Sequence, residues 1–205
     1  MSRGKSSAVL LVLALVAGAA CSSSSKSSDD KPAASTTTTA APRPSSGPAA
    51  TLTAPENAGK GVYLAAGQAV DMAGDGYTES EFFASGEAHS YSLSTEQTSD
   101  GKWGAVESGA AAPYETRVVL RRPKDPAKFN GTILYEWLNV SGGVDASPDF
   151  TYLRDEIVRE GYAWAGVSAQ HIGVEGGEAV VAVSAAPKGG LKGIDPARYG
   201  ELHHP

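Results

Sequence analysis

Ser168 stands in "AGVSAQH", Ala165 to His171, between small residues at the end of an apolar run, with His171 three positions on. A nucleophile elbow has this beginning: a strand, a sharp turn of the form G-x-S-x-G, then a helix at once. Small neighbours let the turn tighten, and the helix N-terminus helps stabilise a developing oxyanion. Gly166-Val167-Ser168-Ala169-Gln170 meets half of that pattern. Gln170 replaces the second glycine, and "HIGVEGG", His171 to Gly177, has no helical period and reads as a loop. His171 adds little, because a base three residues along the chain is not thereby within reach of the hydroxyl. Ser168 is expected to end a strand and to hydrogen-bond locally, and no residue is assigned as catalytic.

The remaining chemistry-bearing residues point to less. Ser141, in "NVSGG", also follows an apolar run, but several residues intervene before the next helix. The four histidines, His89, His171, His203 and His204, lack metal-ligand spacing, so no metal site is expected. His203-His204 is expected to be solvated. Asp145 and Asp149 read as loop and cap residues. Neither G-x-G-x-x-G nor a P-loop occurs, and no cofactor is expected.

The elements around Ser168 are better defined. Thr132 to Leu138, "TILYEWL", is a β-prone run whose apolar residues are nearly continuous, as in a strand covered on both faces. Asn139 to Asp145 is a glycine-containing loop. A helix follows: Ser147 is placed to cap, Pro148 fits the first helical position, and Asp149 suits the positive end. Phe150, Leu153 and Ile157 share its apolar face, and Gly161 is placed to end it. Tyr162 to Ser168 is a second apolar strand. Strand, helix and strand make a βαβ unit with parallel strands. Upstream, Asp71 to Gly76 is turn-like, Tyr77 to Leu93 suits strand structure, and Asp100-Gly101 and Glu107 to Pro113 read as loops. Tyr114 to Arg121 reads as a strand stopped by Pro123. The opening half is thus an antiparallel β segment.

The amino-terminal part of the chain is of another kind. Arg3 and Lys5 precede an uncharged run, Ala8 to Ala20, too short for the roughly 20 apolar residues of a spanning helix. It suits a secretory signal over 1–20. Gly18-Ala19-Ala20 leads into Cys21, the only cysteine, so no internal disulfide forms within the chain. Small residues before such a cysteine resemble the lipobox of bacterial lipoproteins, which implies cleavage before Cys21 and lipid attachment to its thiol. Gly18 departs from that pattern, which usually has a large aliphatic residue there. The stretch 21–54 is rich in Ser, Thr, Ala and Pro and reads as a disordered tether. The expected localisation is exported and membrane-anchored, on the extracytoplasmic face. Pro55 to Pro205 is long enough for one modest domain. The net charge of −6 and the absence of a basic run after the signal argue against a nucleic-acid partner.

Phe129 to Phe150, "FNGTILYEWLNVSGGVDASPDF", resembles a group of alpha/beta hydrolase domain-containing proteins. Arg159 to Gly176 and Leu191 to Pro205 fit the same group, as does, more weakly, the stretch beginning at Tyr114. The resemblance implies an α/β fold, the N-terminal part of an α/β-hydrolase, with antiparallel lead-in strands before the βαβ unit. It implies a serine hydrolase acting on carboxylic esters or related acyl compounds. It would make Thr132–Leu138 the third strand and Tyr162–Ser168 the fourth, with the nucleophile elbow on the strand after that. The nucleophile, acid and histidine then have no matching positions here, and 55–205 is read as a partial, apparently truncated domain, inactive alone. The loop after the third strand commonly supplies an oxyanion N–H, which makes the backbones of Ser141, Gly142 and Gly143 the candidates. A sheet ended there is expected to leave an apolar edge and an uncovered face. The competing expectation is a complete small cell-surface binding lipoprotein without catalysis.

Overall fold

The computed structural model describes residues 48–65, 71–181 and 188–205. The signal, Cys21 and most of the tether lie outside the described residues. Strands β1 (Thr51–Thr53), β2 (Tyr77–Leu93), β3 (Ala105–Pro123), β4 (Ile133–Trp137) and β5 (Ala163–Val167) form one sheet in the order β1-β2-β3-β5-β4. β1, β2, β3 and β5 pair antiparallel in turn, and β4 pairs parallel with β5. An antiparallel lead-in followed by a parallel βαβ unit is the architecture expected from the sequence. Helix α1 (Pro148–Glu160) is the crossover, and the short helices α2 (His171–Glu175), α3 (Gly190–Ile194) and α4 (Pro196–Tyr199) follow. No helix among the described residues is long and apolar enough to cross a membrane.

Several local readings change. Thr51–Thr53, at the end of the stretch read as tether, pairs with Phe83 to Ser85 as an edge strand. Its threonines are β-branched and suit a pleated edge. Glu107 to Pro113, read as a loop, belongs to β3. The outer part of the β2–β3 hairpin is solvated on both faces, so it carries no apolar alternation, and backbone pairing such as Tyr91 with Glu107 defines it instead. His171 to Glu175, also read as a loop, is a single helical turn. Five residues are too few to show a period, and Gly173 is demanded by contact: a Cβ there would collide with Asp145 Oδ1.

Helix α1 begins and ends where the sequence places it. Gly161 closes it in the left-handed conformation, φ 72°. Its cap, however, is not Ser147, whose side chain makes no capping hydrogen bond. Glu136, arriving from β4, accepts from Asp149 N and Phe150 N at 2.9 Å each. A buried carboxylate thus meets the positive end of the helix. It also accepts from Trp164 Nε1 at 2.8 Å.

Both packed clusters lie on one face of the sheet. Tyr77, Val119, Leu138, Phe150, Ile157 and Trp164 form the first. Phe83, Val174, Leu191, Tyr199 and Leu202 form the second. The Arg121 guanidinium lies over the Phe150 and Trp164 rings, 4.2 and 5.0 Å from their centroids. The register carries an apolar row across the opposite face, from Phe82 through Val118 and Val167 to Trp137. There Ile133, Tyr135 and Trp137 are 52%, 72% and 68% exposed. β4, read from its composition as covered on both faces, is covered on one.

Candidate functional site

Ser168 follows β5 directly and is wholly buried. Its Oγ donates to Asp145 Oδ2 at 2.6 Å and accepts from Arg117 Nε at 3.0 Å. Arg117 NH2 donates to the same Asp145 oxygen at 2.8 Å. A nucleophile needs an exposed oxygen and a base to receive its proton. This hydroxyl is not exposed, and the carboxylate that accepts from it is held in a buried ion pair with Arg117; its partners are distant in sequence rather than local. Gly166, the first residue of the elbow-like run, is explained by packing. A Cβ there would run into the Trp164 indole and Leu138.

The network around Ser168 extends to both ends of the domain. Arg117, fully buried on β3, also pairs with Glu81 at 3.5 Å and donates to the Tyr63 carbonyl. Glu81 accepts from Arg198 Nε at 2.6 Å and Tyr199 OH at 2.9 Å. Two guanidinium groups therefore face two carboxylates, which is how buried charge is accommodated. Burial raises the phenol pKa of Tyr199, so it stays protonated as the donor to Glu81. Asp145 also fixes the loop before α1. Its main-chain oxygen accepts from Ala65 N at 2.8 Å, and Asn139 and Ala146 close the loop with reciprocal backbone hydrogen bonds of 2.9 Å.

Within that loop the three backbone candidates differ. Ser141 N donates to Asn139 Oδ1 at 3.0 Å. Gly143 N donates to Val140 O at 2.8 Å, and Gly143 sits at φ 81°. Both N–H groups are spent on holding the turn. Gly142 N has no hydrogen-bond partner among the described residues, so of the three candidates it alone is free to donate. The neighbouring N-terminus of α1 offers no second one, since Glu136 occupies it.

His171 and His204, 33 positions apart in sequence, come to one cavity beside Thr116. His204 is half-buried rather than solvated. The segment carrying it is clamped to β3 by the reciprocal backbone pair of Glu115 and His203, at 3.0 and 2.9 Å. Burial, followed by the charge of His171, holds the His204 pKa below the usual histidine value. Among the described residues no group of three or more His, Cys, Asp or Glu side chains is placed to hold a metal ion. His89 stands apart, 3.6 Å from Glu107 on the outer hairpin.

Arg117, Glu81 and Glu136 were not singled out by the sequence. The signal was there for Glu136, whose neighbours two positions away, Leu134 and Leu138, are both apolar, so that its carboxylate must be buried with partners. Arg117 and Glu81 each have one acidic neighbour on the same face, Glu115 and Glu79, and the pattern does not mark them.

The comparisons with known proteins agree with this architecture. A family model described as an alpha/beta hydrolase domain matches residues 45–205. No curated protein and no solved structure matches the chain. The match begins ahead of the edge strand Thr51–Thr53 and takes in every described element. The chain belongs to the alpha/beta hydrolase domain family.

Proposed function

We propose that this chain is the N-terminal part of an exported, lipid-anchored hydrolase of carboxylic esters or related acyl compounds. Its own contribution is the scaffold and the oxyanion loop; the nucleophile, acid and histidine come from further strands. The observation that carries this reading is the bare β4 surface. β4 ends the sheet order, and Ile133, Tyr135 and Trp137 stand exposed along it. Proteins rarely leave such an edge and face to water, and a continued parallel sheet with helices over that face would cover both. Further support comes from the family match and the free N–H of Gly142 at the carboxyl end of β4. In this role Gly142 N would donate to the developing oxyanion, worth a factor of about 10² to 10³ in rate for one such donor.

The test is expression of the chain together with the in-frame continuation of its reading frame, assayed on short-chain 4-nitrophenyl esters. Turnover by the extended protein and none by the 205-residue chain is the expected result. A continuation that adds no strand and no serine elbow would overturn the reading. The anchor has its own test. Fatty-acid label should enter the wild-type chain and not Cys21→Ala; equal label in both would refute it.

A further inference from the structure

The cavity that brings His171 and His204 together has a volume of about 410 Å³, within the size range of small-molecule sites. It lies past the carboxyl end of β5: Ala169 and His171 follow that strand, and Thr116 precedes the β3 residues paired with it. Ligands of α/β sheets bind outside the carboxyl ends of their parallel strands. Tyr114 and Ala169 contribute further wall.

The hydrogen bonds fix what His204 offers. Thr116 Oγ1 donates its one proton to the Ser168 carbonyl at 2.5 Å. Its contact with His204 Nε2, at 3.0 Å, must then be one in which the imidazole donates. His204 therefore carries its proton on Nε2, and Nδ1 keeps its lone pair, with no hydrogen-bond partner among the described residues. The charged and titratable groups acting on this ring are His171, Glu175, Asp145 and His203. A ring lone pair on which two carboxylates, Glu175 and Asp145, act is a poor receptor for an anion. Two imidazoles without a third protein donor make a poor metal site. A hydroxyl proton suits it.

We propose that this cavity binds a small molecule carrying a hydroxyl group, with His204 Nδ1 as the acceptor that selects it and Thr116 as the residue that positions the ring. The site itself does not depend on the hydrolase reading. The alcohol released when an ester is hydrolysed is a ligand of this class, and that link does rest on it.

The test uses benzyl alcohol and benzyl methyl ether, which share a shape and differ in the donor. Magic-angle-spinning NMR of the full chain with ¹⁵N-labelled histidine reads tautomers without needing a monomer. The free protein should show His204 protonated on Nε2. Benzyl alcohol should shift the Nδ1 signal saturably, and the ether should bind about tenfold more weakly, the loss of one hydrogen bond. Thr116→Val should abolish this preference, and Thr116→Ser, which keeps the hydroxyl, should retain it. Equal response to both probes, no response, or a response confined to His203 or His89 would overturn the proposal. Such a failure would leave the hydrolase reading, judged by ester turnover, untouched.

Discussion

Ser168 Oγ donates to Asp145 Oδ2 at 2.6 Å in the interior of the domain. That hydrogen bond joins the end of β5 to the loop before α1 and fills the position where an elbow serine would be sought. With Arg117 donating to both residues, the three side chains form a closed polar unit with a structural role.

Removing one member should cost stability. Ser168→Ala deletes a donor to Asp145 and an acceptor for Arg117 Nε, and a loss of about 1–3 kcal/mol is expected. Asp145→Ala leaves the buried guanidinium short of a charge partner, with a loss of about 3–5 kcal/mol. Urea unfolding followed by tryptophan fluorescence checks both. Wild-type stability in Ser168→Ala would mean that the hydroxyl is not in this network.

Gly173→Ala tests the helix that the sequence concealed. The added methyl meets Asp145 Oδ1 and Val140, and overpacking of this kind costs about 1–3 kcal/mol. A neutral result in the same unfolding assay would place α2 farther from the loop.

The His204 pKa is depressed by burial and by His171, so folding favours the neutral ring. Above the unfolded value of about 6.5 both states are neutral and this contribution is complete. As the pH falls below it, the unfolded chain takes up the proton first and stability declines, levelling off beneath the folded value. The melting temperature should therefore drop on going from about pH 7.5 to about pH 5.5. His204→Gln should narrow that drop, and an unchanged drop would assign it to other groups.

The bare β4 face should drive self-association. Tyr135→Lys and Trp137→Lys are expected to raise the soluble fraction and reduce the sedimenting species. Val180→Lys, at a residue 85% exposed outside the sheet, should do neither. A monomeric, fully soluble wild-type chain would contradict this.

Much of the fold was legible because its signals are local. Gly161 ends α1 in a left-handed conformation, Pro148 begins it, and the two apolar runs flanking it pair in parallel. What was hidden depends on groups brought from afar. Glu136 caps α1 in place of Ser147 because the strand delivers a stronger acceptor to the same N–H groups. Gly166 resembles an elbow glycine and is there for the Trp164 indole. The composition of β4 does not reveal that one of its faces is bare, since an apolar residue looks the same whether covered or waiting for a cover. Of the oxyanion candidates, only the hydrogen bonds separate Gly142 from Ser141 and Gly143.

The central claim is that Ser168 is a buried structural hydroxyl and not a nucleophile. A fluorophosphonate probe, which phosphonylates activated serines with loss of fluoride, tests it directly on the purified chain. Mass spectrometry should find no adduct at Ser168 or Ser141, and no ester turnover should accompany it. An adduct at Ser168 that disappears in Ser168→Ala, together with its ester turnover, would contradict the account.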